Sequence, residues 1–256
     1  MKILLTNDDG IEAQGIQALM NFFKDRCELV LAAPADERSA TSHSISLGKD
    51  LRVRDYIKHG IPHYAVHGMP VDCVKFALSE IPGFQPDLVI SGINHGANTG
   101  VSVYYSGTIS AAREAMINRV PAMAISLCSR EFRDFTASTE IAGQLVDGFK
   151  EGAFPKDVLL SVNVPGVQSG LICGVKITKQ ADSRFIEEFI YKSSKQGEKI
   201  YQLAGEIEID ETDGTSDEEA VLENYISITP LRIDLTDQSA IPPLEKWLRH
   251  KKINQS

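Results

Sequence analysis

KILLTNDDGI, residues 2–11, is the stretch that decides the fold. Lys2 to Thr6 is a short apolar run with no polar alternation, the pattern of a strand covered on both faces. Asn7-Asp8-Asp9-Gly10 ends it abruptly, and Gly10 permits a tight turn. Ile16, Leu19, Met20 and Phe23 then recur at helical spacing. Strand, polar turn and amphipathic helix in that order open an α/β domain with a parallel sheet.

The same grammar continues outward. Further apolar strands are expected at 29–33 (ended by Pro34), 62–66, 88–91, 123–127 and 158–162 (ended by Pro165). Helices are expected at 71–78, 108–116 and 138–149, with Phe23, Phe76, Met116 and Phe149 on core-facing sides. The sheet is therefore largely parallel and covered on both faces. Beyond residue 170 the pattern changes: 171–178 and 186–191 read as an antiparallel hairpin or extended arms. The acidic stretch 206–219 reads as a solvated loop, 225–229 as a late strand and 242–249 as a terminal helix. The expected division is a catalytic core over 1–170 and a C-terminal extension over 171–256, with its late strand at 225–230.

Composition narrows the function. A net charge of −9 over 256 residues argues against a nucleic-acid surface, so a small anionic substrate must be attracted locally. The start MKILLTNDDG lacks the apolar region of a signal peptide, and no apolar run approaches the roughly 18 residues of a membrane span. Cys27, Cys73, Cys128 and Cys173 form no CxxC pair and read as reduced core thiols of a cytoplasmic protein.

Four polar segments converge on one rim, because ligands of open α/β sheets gather beyond the carboxyl ends of the strands. Asp8 and Asp9 repel one another unless a cation sits beside them, and a hard divalent ion answers that need. The alternative is a solvated turn with Asp9 capping the next helix. PADERSATSHS, 34–44, offers the hydroxyls of Ser39, Ser42 and Ser44, with Arg38 and His43 for phosphate oxygens; otherwise it is a polar loop with a helix cap. SGINHGANTG, 91–100, brings backbone N–H groups and the amides of Asn94 and Asn98 to a strand exit, or is a structural glycine turn. YSGTIS, 105–110, places Ser106, Gly107 and Thr108 at a helix start, where hydroxyls and free N–H groups suit a phosphate.

With these motifs in hand, the chain resembles the SurE family of stationary-phase survival nucleotidases. The resemblance rests on ILLTNDDGI, PADERSATSHSIS, VISGINHGANTG, YSGTISAAREA and ISITPL, in order and almost end to end. It implies a Rossmann-like three-layer core with an extended C-terminal hairpin exchanged between subunits, giving a homodimer or homotetramer. It also implies a metal-dependent phosphomonoesterase, a 5′-nucleotidase acting on nucleoside 5′- and 3′-monophosphates, with polyphosphate shortened by some members. The family's metal ligands fall on Asp8, Asp9, Ser39 and Asn94, for one Mg²⁺ or Mn²⁺ per subunit. Its phosphate-binding positions fall on Asn98, Ser106, Gly107 and Thr108. Two departures stand out: Ser216-Asp217 replaces the usual Thr-Asp pair before Tyr225, and 179–185, KQADSRF, is less basic than the family's arginine-rich version.

The expected chemistry is direct hydrolysis at phosphorus, with Asp8 and Asp9 as catalytic carboxylates and metal ligands whose separate roles stay open. His43 is expected as a general acid, a phosphate contact or a support for the residues that are. A covalent aspartyl-phosphate is a less favoured route. Rival readings are another hydrolase class using strand-end aspartates, such as a nucleosidase or deacetylase, and a nucleotide sensor without turnover.

Overall fold

The computed structural model describes residues 1–195, 197–209 and 213–250. A nine-stranded sheet forms its centre: β1 (Lys2–Thr6), β2 (Glu28–Pro34), β3 (Val53–Lys58), β4 (Ile61–Val66), β5 (Leu88–His95), β6 (Ala122–Cys128), β7 (Leu159–Pro165), β8 (Gly174–Ile177) and β11 (Tyr225–Leu231). A separate two-stranded ribbon joins β9 (Ser183–Lys195) to β10 (Glu198–Ile209). The main order is β3-β4-β2-β1-β5-β6-β7-β11-β8. From β4 to β7 every pairing is parallel, whereas β3 and β11 run antiparallel to their inner neighbours. The chain builds outward from β1 to β2 and β4, then returns to place β5 on the other side of β1. That reversal opens a crevice at the carboxyl ends of β1 and β5.

The helices are α1 (Gln14–Phe23), α2 (Pro70–Glu80), α3 (Ser102–Tyr105), α4 (Gly107–Ile117), α5 (Thr136–Glu151), α6 (Asp217–Leu222) and α7 (Ile241–His250). Ile16, Leu19, Met20 and Phe23 of α1 join Ile141, Leu145 and Val146 of α5 on one face of the sheet. Val74 and Ala77 of α2 join Ile109, Ala111, Ala112 and Ala115 of α4 on the other. The result is three layers with two cores. Gly15 shows how closely they pack: a Cβ there would stand 1.9 Å from the carbonyl oxygen of Ile93, so α1 lies directly against β5.

The first half matches the expected strand and helix pattern, with β5 longer than read and β3 an additional antiparallel edge. Phe23 and Met116 are buried, and Phe149 packs partly buried against the α1–α5 core. The C-terminal half differs in three respects. Segment 174–177 is not a hairpin arm: β8 pairs in parallel with β11 at the sheet's edge. The late strand lies in the same sheet, against β7, so the sheet itself runs across position 170. The hairpin is instead β9 with β10, antiparallel from Ser183↔Ile209 outward, with a bulge that shifts the register between Tyr201 and Ile200.

The stretch 206–219 is not a solvated loop either. Its first residues belong to β10, 210–212 lie outside the described residues, and Ser216 and Asp217 are buried at the start of α6. Hydrophobic patterning misses this because the acids are held by hydrogen bonds, with Ser216 and Glu219 forming a reciprocal cap. All four cysteines are free thiols, but Cys173 is exposed rather than in the core.

Candidate active site at the β1–β5 crevice

The turn after β1 is clamped by Asn7. Its amide donates to the carbonyl of Gly10 at 2.8 Å, and its oxygen accepts the Gly10 N–H at 3.2 Å. Asn7 thus does the structural work of the turn, and the neighbouring carboxylates are left for something else. Helix α1 begins at Ala13 without a side-chain cap, so Asp9 does not cap it.

Asp8 is 5 % exposed, and its Oδ1 accepts the Thr108 hydroxyl at 2.5 Å. Burial raises its pKa to about 6, assisted by the charge of Asp9 and opposed by the Thr108 hydroxyl. Burial also raises Asp9, with Glu37 adding repulsion and the backbone N–H of His95 opposing it. Asp9 Oδ2 is buried without a hydrogen-bond partner. Thr6 at the end of β1 and its cross-strand neighbour Ser91 within β5 also bury hydroxyls without partners. Buried acceptors of this kind are costly unless a ligand completes them.

The other expected segments arrive at the same crevice. The Arg38 N–H donates to the carbonyl of Asp8 at 2.7 Å, which seats the 35–46 loop beside the turn. Ser39 lies exposed on that loop and donates to Glu37 Oε1 at 2.6 Å. Asn94 spends its N–H₂ on the carbonyl of Gly96 at 2.9 Å, leaving its oxygen as the ligand end. Two carboxylates, a hydroxyl and an amide oxygen form a hard, all-oxygen donor set that suits Mg²⁺ or Mn²⁺. Among the described residues no three His, Cys, Asp or Glu side chains gather in a metal-holding group. The expected set contains only two such side chains, so that finding does not bear on it.

Helix α4 starts over Asp8. Ser106 caps it, its hydroxyl accepting the Ile109 N–H at 3.1 Å. Gly107 follows in close contact: a Cβ there would lie 2.7 Å from Asp8 Oδ2. Only glycine lets the helix start come that near the carboxylate. Asn98 is fixed from beneath. Its N–H donates to Asn163 Oδ1 at 2.8 Å, its carbonyl accepts from Asn163 Nδ2 at 3.2 Å, and its amide donates to Ser126 at 2.8 Å.

His43 stands somewhat apart. Its Nε2 lies 3.0 Å from Glu114 Oε2, and Glu114, 2 % exposed in α4, also accepts Lys75 at 2.7 Å and Asn118 at 2.9 Å. With Ser42 donating to the carbonyl of Tyr104 at 2.7 Å, this contact moors the Ser39 loop to the α3–α4 segment.

Two supporting residues escaped sequence reading, and a third, Asp217, enters it only as part of the Ser216-Asp217 pair. Ser126 and Asn163 are polar positions inside the apolar strands AMAISLC and LLSVNVP, and that interruption is the signal that marks them. Asp217 is fully buried, and its carboxylate accepts the N–H groups of Gly100 (3.1 and 3.2 Å) and Ala181 (2.9 Å). Burial raises its pKa against those hydrogen bonds. The departure to Ser216 leaves this arrangement intact, because serine supplies the same capping hydroxyl.

Comparison with known proteins agrees with this geometry. The family described as Survival protein SurE matches residues 3–187. This chain belongs to the SurE family. It is 44 % identical to the 5′-nucleotidase SurE of Pelotomaculum thermopropionicum, across 99 % of this chain and 97 % of that protein. It is 42 % identical to the 5′-nucleotidase SurE of Chlorobaculum tepidum, across 96 % and 94 %. The crystal structure of the SurE protein from Aquifex aeolicus superposes with a TM-score of 0.83 at 33 % identity, covering 96 % of this chain and 99 % of that one. SurE membership accounts for the α/β architecture with its mixed, mostly parallel sheet.

Proposed function

We propose that this protein is a metal-dependent phosphomonoesterase, a 5′-nucleotidase that hydrolyses nucleoside 5′-monophosphates, and 3′-monophosphates as well, to nucleoside and phosphate. The observation that carries the reading is the pair Asp8–Asp9. Both carboxylates are pushed toward protonation by burial, one oxygen of Asp9 has no partner, and the start of α4 is pressed against Asp8. SurE membership and relatives named as 5′-nucleotidases support the reaction class.

Asp8, Asp9, Ser39 and Asn94 would hold one Mg²⁺ or Mn²⁺. When bound, the ion supplies charge neutralisation at phosphate oxygens and a more acidic water. The chain's own residues do the rest. Thr108 fixes Asp8 through its hydroxyl, and Ser106, Gly107 and Thr108 at the start of α4 would stabilise the oxygens on which charge builds. Asn98 is locked by Ser126 and Asn163, so its position costs no reorganisation in the reaction. Water adds to phosphorus, the P–O ester bond breaks and the nucleoside oxygen takes a proton. Glu114 orients His43, which favours a mooring role for this residue over proton donation.

The same reading includes a homodimer or homotetramer with exchanged C-terminal arms. Exposed Phe189, Tyr191 and Leu203 on the ribbon and Leu244 on α7 support it. Among the described residues no helix is long and apolar enough to cross a membrane. Four free thiols support a reducing, cytoplasmic setting.

The deciding experiment is phosphate release from 5′-AMP, 5′-GMP, 3′-AMP and short polyphosphate with Mg²⁺, Mn²⁺ or EDTA. Release from the monophosphates with either metal, lost in EDTA and in Asp9→Asn, is expected. Free base without phosphate would mark a nucleosidase, and nucleotide binding without turnover would mark a sensor.

A further inference from the structure

The segment after β5 runs through Asn98 into α3 and α4, so its path sets the distance from Asn98 to Ser106, Gly107 and Thr108. These are the two places at which the proposed function puts the phosphate. Asn98 itself rests on Ser126 and Asn163. Thr99, Gly100 and Val101, which follow it, belong to no strand or helix. Their polar groups are met instead by residues about eighty and more than a hundred positions away. The Gly100 carbonyl accepts the side-chain amide of Gln180 at 2.7 Å, and the Val101 N–H donates to Ser183 Oγ at 3.0 Å. The Gly100 N–H goes to Asp217. Ser183 donates in turn to Glu218 Oε1 at 3.3 Å, and the Thr99 hydroxyl gives Glu218 another hydrogen bond.

The approach is close. Gly100 has a φ of +48°, and a Cβ there would run into Ser183 Oγ and Glu218 Oε1. Gln180 and Ser183 are also held firmly from behind. Thr178 donates its N–H to the carbonyl of Ile228 at 3.0 Å, and its hydroxyl lies 2.8 Å from Ser227 and 2.7 Å from Thr229. The Lys179 backbone pairs with Thr215 at 3.1 Å and with Asp217 at 2.9 Å. Both side chains are therefore half-buried on a fixed ledge, in the KQADSRF stretch whose sequence departs from the family's. Water could satisfy the part-exposed Val101 N–H equally well. What water cannot do is fix where the loop stands, and placement within an ångström is what a site for a small ligand requires.

We propose that Gln180 and Ser183 are positioning residues for phosphate. Through Gly100 and Val101 they fix the span from Asn98 to the start of α4 at the width of one phosphate group. Ser183 is also the first residue of β9, so the root of the ribbon forms part of that span. This deepens the proposed function and rests on its placement of the phosphate. The hydrogen bonds of these two side chains run to Gly100, Val101 and Glu218, and none reaches Asp8, Asp9, Ser39 or Asn94 among the described residues. Phosphate affinity should therefore depend on them while metal affinity does not. Loss of one such tether, with the small displacement that follows, should weaken phosphate binding about tenfold.

The test is calorimetric binding of inorganic phosphate in Mg²⁺-buffered solution and of Mg²⁺ alone, with 5′-AMP kinetics beside them. The proteins are wild type, Gln180→Met (same length, no amide), Ser183→Ala and Ser183→Thr. Gln180→Met and Ser183→Ala should each raise the phosphate Kd about tenfold at unchanged stoichiometry, and raise KM for 5′-AMP with it. Ser183→Thr keeps the hydroxyl and should bind phosphate as wild type does. Mg²⁺ affinity should be the same in all four. A merely structural role predicts something else: partial unfolding lowers the number of sites and kcat, and leaves Kd and KM alone. An unchanged Kd in both loss variants, a parallel loss of Mg²⁺ affinity, a threonine variant as weak as the alanine one, or no phosphate binding by wild type would overturn the assignment. Wild type that binds phosphate yet releases none from 5′-AMP would sink the nucleotidase reading and leave this one to stand on the binding data.

Discussion

At the scale of single residues, Asp8 concentrates the physics of the site. Its folded-state pKa of about 6 exceeds the ordinary 3.8, so the folded chain holds this proton more tightly than the unfolded one. The sign follows by linkage: between about pH 4 and 6, this group's contribution to stability falls as pH rises. In EDTA, urea midpoints of wild type should show that downward slope, and Asp8→Asn, which removes this titrating group, should show a shallower one. Identical slopes in the two proteins would show that Asp8 is not the group responsible. A divalent cation requires the same proton to leave, so apparent affinity should drop about tenfold per unit below about pH 6. Asp8 and Asp9 were legible as a strand-end acid pair, because a polar break after a continuous apolar run is visible in one dimension. Their burial was not, since it depends on α4 closing over them from a hundred residues away.

At the scale of elements, the proposed phosphate-binding end of the molecule is assembled by crossings between distant segments. Asp217 in α6 holds Gly100 after β5 and Ala181 before β9, so one carboxylate fixes the loop that carries Asn98. Asp217→Ala strands those buried N–H groups and should cost about 3 kcal/mol of stability. Phosphomonoesterase kcat/KM should fall more than the remaining folded fraction explains, because the Asn98 loop loses its tether. Chemical denaturation together with steady-state kinetics would check this; full kcat/KM in the folded fraction would mean that the loop holds its shape without Asp217. Residues 206–219 read as an acidic solvated stretch because eight carboxylates in fourteen residues look alike in sequence. Tertiary hydrogen bonds sort them, and patterning carries no information about which acid finds a backbone donor.

At the scale of the whole molecule, the ribbon of β9 and β10 pairs only with itself and carries exposed Ile186, Phe189, Tyr191, Leu203 and Ile207. An isolated two-stranded ribbon is marginal in water, and the apolar side chains along it fit the proposed exchange of arms, which would cover them. Replacing Phe189 and Leu203 with serine should lower the mass found by light scattering toward 28.1 kDa and lower the melting temperature. An unchanged mass would remove the ribbon from the assembly interface.

The sequence by itself determined the alternation of buried strands and amphipathic helices, the parallel character of the sheet, and the rim where Asp8, Asp9, Asn94 and Ser106 to Thr108 gather. Apolar runs and polar exits are local patterns, and the carboxyl-end rule turns them into a place. Only the tertiary structure decided that β11 and β8 complete the same sheet, that Ser126 and Asn163 fix Asn98, that His43 leans on Glu114, and that Arg133 meets the ring of His95. Each is a partnership between residues far apart in the chain, set by which strand lies beside which. Asp8 and Asp9 announce themselves within ten residues; what makes them a site is the rest of the fold arriving around them.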